Sequence, residues 1–310
     1  ARIALARKIP LTNRGVANIK NHHLIILGYL LSEGNLCHPH SFYFYSSDKK
    51  ELEDYKNALE KFKNTKATFN KRKKTISIYA RRANLKQPSQ AVEWIKKLGL
   101  ANKKATQKEF PEFVFQLNKK QLALLLAKMF QGDGCISIKR KDPQIFYSTS
   151  SLKLARQLQH LFLRLDIITS LHHKKFKYRQ GFKNGYTLTI NRYQNIYNLY
   201  RHLGPHLISQ TKQKLEKAIR QHPIINGQLK SNSARGSYDI VPAEIRELIR
   251  EEIKKKGIGS LKNLAKNLGI AERLLWKDNK KQGYLRETLK IIGEKLGSKL
   301  ILDYANSDIY

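Results

Sequence analysis

Two carboxylates close two similar apolar runs. Glu33 ends LIILGYLLSEG (Leu24–Gly34) and Asp133 ends LALLLAKMFQGDG (Leu122–Gly134). In each copy a glycine follows the acid, and the acids are 100 positions apart. Two apolar helices that pack together and finish together bring both acids to one place. A carboxylate pair at such a junction can hold a divalent cation. The chain carries a net charge of +36, so a polyanion is the partner expected of it and a phosphodiester is the substrate expected of the cation. Hydrolysis of that bond needs an in-line water, neutralised phosphate charge and a stabilised 3′-oxygen, which two divalent ions bridged by carboxylates supply. Mg²⁺ keeps several waters and needs few protein ligands. Glu33 and Asp133, with the backbone carbonyls of Ser32 and Gly132, fit so sparse a site. No Cys/His spacing suits zinc.

The elements that must position these acids follow the same order twice. In the first copy, FYFYSS (Phe42–Ser47) is β-rich and DKKELEDYKNALEKF (Asp48–Phe62) is a helix opened by an Asp cap. ATFNKRKK and TISIYARR (Ala67–Lys74, Thr75–Arg82) form a hairpin. Thr75, Ser77 and Tyr79 alternate with Ile76 and Ile78. A helix spans Gln90–Leu98. In the second copy, CISIK (Cys135–Lys139) and QIFYSTS (Gln144–Ser150) are strands and SLKLARQLQHLFLRL (Ser151–Leu165) is a helix. SLHHKKFKY (Ser170–Tyr178) and YTLTI (Tyr186–Ile190) form a hairpin with Gly181 and Gly185 in its turn, before a helix over Gln194–Leu203. The fold class is α+β, with two pseudo-symmetric αββαββα halves. Each sheet buries one face under its helices and leaves one polar, basic face for a duplex groove. The base-reading candidates are Asn70, Arg72, Thr75, Ser77, Tyr79 and Arg81 in the first half. In the second they are Ser137, Lys139, His172, Lys174, Thr187 and Thr189.

The chain has 310 residues, of which 41% are hydrophobic, enough for two or three domains and inconsistent with wholesale disorder. An anionic membrane surface is the second choice of partner, but no apolar run approaches the ~20 residues of a spanning helix, and no amphipathic anchor stands apart. The only methionine is Met129, which marks a piece of something longer. Cys37 and Cys135, each just after a motif, read as small reduced strand residues of a cytoplasmic protein. After the linker SNSARGS (Ser231–Ser237) come four helical segments. Leu264-Ala265, Leu268-Gly269-Ile270 and Leu275 have the spacing of a helix-turn-helix.

The segments ILGYLLSEG (Ile26–Gly34) and LAKMFQGDG (Leu126–Gly134) resemble the motif of the LAGLIDADG homing endonucleases, and the resemblance extends over residues 20–215. It implies a single-chain pseudo-dimer, monomeric in solution. The two halves pack through the motif helices, and the sheets saddle double-stranded DNA. It also implies Mg²⁺-dependent cleavage of both strands with short 3′ overhangs, Mn²⁺ substituting and Ca²⁺ binding without cutting. Glu33 and Asp133 take the metal-binding positions, with Gly34 and Gly134 at the turns after them. Gly28, Ser32 and Gly132 match the small residues of the helix interface, whereas Lys128 stands where a small residue is expected. The lysine that the family keeps near each acid maps to Lys108 in QKEFPEF and to Lys212, or else Lys214, in QTKQKLEKA. RIALARKIP (Arg2–Pro10) and SDIY (Ser307–Tyr310) resemble approaches to intein splicing blocks. Residues 239–297 resemble a Cro-like helix-turn-helix. There Ala271 opens the recognition helix, Glu272 and Arg273 point at bases, and Lys277 joins the DNA contacts.

The domain reading is therefore 1–15 splicing-block remnant, 16–112 first half, 113–230 second half, 231–238 linker, 239–297 helix-turn-helix and 298–310 tail. A site-specific homing endonuclease promoting intein mobility is the leading reading. A catalytically inactive transcriptional regulator that pairs this fold with a helix-turn-helix is the alternative, disfavoured because both acids remain. An RNA-binding maturase is a third, disfavoured by a duplex-DNA module.

Overall fold

The computed structural model describes residues 19–72, 75–138, 143–178, 181–220, 224–225, 228–229, 240–241, 245–269 and 284–306. They form two compact units, 19–229 and 240–306.

In the larger unit the order of elements repeats. The first half runs α1 (Asn21–Leu31), β1 (Gly34–Asn35), β2 (Tyr43–Ser46), α2 (Lys49–Leu59), β3 (Thr65–Arg72), β4 (Thr75–Arg82) and α3 (Gln90–Lys97). The second runs α4 (Lys119–Asp133), β5 (Gly134–Ser137), β6 (Gln144–Thr149), α5 (Leu152–Leu163), β7 (Ser170–Tyr178), β8 (Gly181–Ile190) and α6 (Tyr193–Leu203). The sheets have equivalent antiparallel orders, β1-β2-β4-β3 and β5-β6-β8-β7. The helix α7 (Ser209–Arg220) and the short strands β9 (Ile224–Ile225) and β10 (Gln228–Leu229) follow. Side-chain oxygens that accept from backbone amides fix the helix starts: Asp48 caps α2, Ser89 caps α3, Asn118 caps α4 and Ser151 caps α5.

Helices α1 and α4 are apolar nearly all round, the signature of a helix buried on every side. Leu24, Ile26, Leu27, Tyr29 and Leu30 on one, and Leu122, Leu125, Leu126, Ala127 and Phe130 on the other, are fully buried. One continuous core contains both helices and the inner faces of both sheets. Close approach is enforced at two glycines. A methyl added at Gly28 would lie 2.7 Å from Lys128 Cβ and 2.8 Å from the Leu125 carbonyl oxygen. One added at Gly132 would meet the Ser32 side chain, with Cβ 2.8 Å away.

Lys128 fits this seam because only its stem occupies it. Its ammonium pairs with Asp54 Oδ2 at 2.9 Å and donates to the His206 carbonyl at 2.9 Å. The Tyr29 hydroxyl donates to the same Asp54 oxygen at 2.9 Å. A large residue in a close-packed seam thus becomes an ionic tie between the halves.

Two sequence expectations change. Gly185 lies inside β8, paired with Lys174, and not in the turn. Its position is held by cross-strand registration that runs unbroken to Tyr178↔Gly181. The tail expected from 298 onward is instead partly helical. In the smaller unit, β11 (Ile240–Val241), α8 (Ile245–Lys255), α9 (Leu261–Leu268), β12 (Tyr284–Leu285) and α10 (Arg286–Leu296) are followed by α11 (Lys299–Asn306). Ile301 and Ala305 of α11 join the core of Ile249, Leu264, Leu289 and Ile292, because apolar positions four apart form one helical stripe. Gly269 ends α9 in the left-handed conformation, φ +62°. The recognition-helix positions Ala271, Glu272, Arg273 and Lys277 lie outside the described residues, as do Lys139, the linker 231–238 and both terminal splicing-like segments.

The tie between the halves is testable. Asp54→Ala leaves the Lys128 ammonium buried without its anion and is expected to cost about 2–4 kcal/mol in urea denaturation. Lys128→Met keeps the apolar stem and should cost less than about 1 kcal/mol. Equal losses would contradict the assignment.

Candidate active site

Asp133 is the last residue of α4, and Glu33 follows Ser32, the C-cap of α1. The Ser32 amide closes α1 onto the Gly28 carbonyl at 3.2 Å, and the Ser32 hydroxyl bonds the carbonyls of Gly28 and Tyr29 at 3.1 Å each. This local tightening turns the chain so that Glu33 leaves the helix beside its counterpart. Gly134 caps α4 through its amide to the Phe130 carbonyl. A side chain there would collide with the Phe130 ring, 2.5 Å from Cδ1.

The Glu33 and Asp133 carboxyl groups lie close enough for the charge of one to act on the other. Burial, and then the neighbouring Glu33 charge, push the Asp133 carboxyl up to about 7, against the pull of Lys108. The hydroxyl of fully buried Tyr147 donates to Asp133 Oδ2 at 3.3 Å. Lys108 is 5% exposed, and its ammonium donates to the Ser32 carbonyl at 2.6 Å. Burial lowers it to about 8, with Asp133, Glu33 and Cys37 pulling the other way. Ser151, the cap of α5, fixes the Lys108 backbone by donating to its carbonyl at 2.7 Å. Lys108 and Asp133 face a cavity of about 490 Å³ on the second half's polar face, bounded by Phe146, Ser148, Lys174 and Thr187.

The other side of the junction is built differently. Lys212 and Lys214 are exposed on α7, and neither lines that cavity. The neighbouring Thr211 points inward instead. Gln131 donates to Glu51 Oε1 at 2.8 Å and to Thr211 Oγ1 at 3.1 Å, and accepts from the Ile208 amide at 3.0 Å. Ser46 donates to the second Glu51 oxygen at 2.6 Å. Burial raises the Glu51 carboxyl, while its bonds from Ser46 and Gln131 lower it. Sequence reasoning missed Glu51, Gln131 and Tyr147. Glu51, three residues after the Asp48 cap, has the spacing of an ordinary helix-capping acid.

A hard cation suits these donors. Two carboxylates this close are held in their charged forms by positive charge beside them. The Ser32 carbonyl, expected as a further ligand, is instead taken by the Lys108 ammonium, and Gly132 lies in the last turn of α4. Among the described residues no group of three or more His, Cys, Asp or Glu could hold a metal. The remaining ligands of a cation here would be water and phosphate oxygen. Cys37 and Cys135 are free thiols.

The sheet registers sort the DNA-reading candidates. Asn70↔Ser77, Arg72↔Thr75 and Lys66↔Arg81 are cross-strand pairs on the polar face of the first sheet, with Tyr79 opposite Thr68. Tyr43, absent from the sequence candidates, stacks on Tyr79 at 5.0 Å. In the second sheet His172 pairs with Thr187, Lys174 with Gly185 and Ser170 with Thr189, while Ser137 pairs with Gln144. Ser77 and Thr187 are on the expected faces but are only 3% and 7% exposed. Ser77 is engaged with the Asn70 carbonyl and Thr187 with Ser148. These short hydroxyls sit below larger neighbours. Asn70, Thr75, Arg81, His172 and Lys174 are exposed.

A family model for the LAGLIDADG-like domain matches residues 120–204. The chain is 26% identical over 279 residues to the replicative DNA helicase DnaB of Rhodothermus marinus, covering 87% of this chain and 28% of the helicase. It is also 26% identical over 231 residues to a glutamine–fructose-6-phosphate aminotransferase of Methanocaldococcus jannaschii, covering 74% of this chain and 20% of that protein. The chain therefore spans under a third of either relative. Among solved structures, the homing endonuclease I-DmoI in complex with DNA and Ca aligns with TM-score 0.44 and 12% identity, over 64% of this chain and 97% of that one.

The carboxyl pair gives the metal-free protein a pH signature. A raised carboxyl pKa contributes stability that is present below the usual carboxylate range and is lost as pH rises through about 7. The lowered Lys108 pKa has the opposite sense, its contribution being lost as pH falls through about 8. Asp133→Asn removes the like-charge repulsion. It should raise the melting temperature at pH 8 by about 2–4 °C and leave it nearly unchanged at pH 4.5. The same melting temperature as the parent at pH 8 would contradict the pairing.

Proposed function

We propose that this chain is a site-specific, Mg²⁺-dependent double-strand DNA endonuclease whose biological role is mobility of an intein insertion. The observation that carries the reading is the meeting of Glu33 and Asp133 with Lys108 at the ends of two packed helices, between two polar sheet faces, in a chain of charge +36. A divalent cation held by the two carboxylates would supply charge neutralisation at the scissile phosphate and a lowered pKa for the attacking water. The chain's own residues do the rest. Tyr147 orients Asp133. Lys108, lowered to about 8 and so still mostly charged at physiological pH, is suited to offset transition-state charge or to exchange a proton with the nucleophilic water. The sheets supply phosphate contacts and base readout, and log K should fall with log salt with slope about 0.9 per phosphate neutralised.

Two internal halves make a monomer sufficient, because one chain presents both sheets. The C-terminal unit adds a second DNA-reading module in this proposal, with Glu272, Arg273 and Lys277 on its recognition helix. The insertion reading draws on the relatives: a helicase and an aminotransferase have no activity in common, yet each shares this segment as a minor part of its length. A mobile element accounts for such a distribution. The presence of both acids and of a buried lysine beside them favours cutting over the regulator reading.

The test is incubation with Mg²⁺ of plasmids carrying a replicative helicase gene that lacks this segment. A discrete linear product, abolished by EDTA, is expected. Glu33→Gln and Asp133→Asn should each lose at least about 100-fold in cutting rate, the scale of removing a principal transition-state contact, and should keep specific gel-shift binding. Full cutting by either variant would overturn the site. Arg273→Ala should weaken target binding by about 1–3 kcal/mol without changing the chemical step.

A further inference from the structure

On the polar face of the second sheet the well-exposed Phe176 does not match its neighbours in the strand. Phe176 of β7 stands in the row of His172 and Lys174 and opposite Lys183, on the side away from the core residues Tyr147, Leu188 and Ile190. It is nevertheless 44% exposed. Its ring leans along the sheet over Gly185: a methyl built there would lie 2.9 Å from Phe176 Cε1 and 3.1 Å from Cδ1. The glycine inside β8 thus lets the phenyl lie as a flat apolar ledge. Phe176, Gly185, Lys174 and Thr187 border the same cavity as Asp133 and Lys108.

The major groove displays donors and acceptors from every base pair but a single kind of apolar group, the pyrimidine 5-methyl. An exposed phenyl on a face that meets that groove has no other apolar partner there. Thymine and 5-methylcytosine differ in the group beside the methyl. Thymine has the O4 acceptor, whereas cytosine has the N4 amino donor. Lys174, the cross-strand partner of Gly185, can only donate. That charge suits O4 and opposes N4.

Resting on the endonuclease reading above, we propose that Phe176 lying over Gly185, with Lys174 beside it, is a thymine-specific reading site that senses the base's 5-methyl group. A phenyl that merely shields a strand glycine would have no such sensitivity.

The experiment is selection of bound duplexes from a randomised pool by the full chain, with Ca²⁺ in place of Mg²⁺. The pool is synthesised in three versions: with thymine, with uracil in its place, and with 5-methylcytosine in place of cytosine. Thymine enrichment is expected at one position of the second half-site, and it should fall about fourfold in the uracil pool, the worth of one buried methyl. No enrichment of 5-methylcytosine is expected there. Phe176→Ser should enrich thymine and uracil alike, while Phe176→Leu should retain the preference. Equal enrichment of uracil and thymine at every position by the unaltered protein would overturn the inference while leaving DNA recognition intact. Enrichment of 5-methylcytosine in place of thymine would overturn the choice of base. No enriched sequence in any pool would overturn the DNA reading and this inference with it.

Discussion

The close approach of α1 and α4 is the constraint on which the larger unit depends. Gly28 and Gly132 allow the two backbones within reach of each other's side chains. That distance decides whether Glu33 and Asp133 share one site or belong to two separate surfaces. Since β1 and β5 start directly after these acids, the same packing sets where both sheets begin. A wider seam would part the carboxylates and the polar faces together. Lys128 would widen it if its ammonium had nowhere to go. Asp54, Tyr29 and the His206 carbonyl give it a destination outside the glycine contact.

The junction is symmetric in backbone and asymmetric in charge. One side has a buried ammonium on the Ser32 carbonyl. The other has a closed hydrogen-bond network of Gln131, Glu51, Ser46 and Thr211. Two carboxylates, a third acid nearby and one desolvated lysine crowd charge into a largely buried site. Such a site is under electrostatic stress without a cation, and positive charge relieves it. Destabilised charge held by rigid packing is the usual signature of a functional centre.

Much of this was legible in the chain. The acids could be placed because a helical apolar run, a small-residue pattern and a terminal glycine coincide twice. The order of strands and helices was legible for the same reason, since alternation over Thr75–Arg82 and a cap at Asp48 or Ser151 are local signals. Lys108 could be found from the K-x-x-P pattern. Where Lys212 and Lys214 lie could not be read, because which side chains of α7 point inward depends on how that helix docks; Thr211, Leu215 and Ala218 point inward and the two lysines are exposed. Glu51 was hidden by its own position: a first-turn acid is ordinary in any helix. Gly185 looked like a turn residue, and only the pairing across β7 and β8 reveals its place within a strand. The extent of the smaller unit's core was also illegible, since a two-residue break at Gly297 and Ser298 resembles a terminus and is in fact a helix cap.

The most direct test of the central claim is a crystal structure of the protein on its DNA target with Mn²⁺, located by anomalous scattering. The account predicts an anomalous peak within coordination distance of both the Glu33 and the Asp133 carboxylates, touching a phosphate of the bound strand. DNA seated on the sheets with no peak between those carboxylates would contradict it.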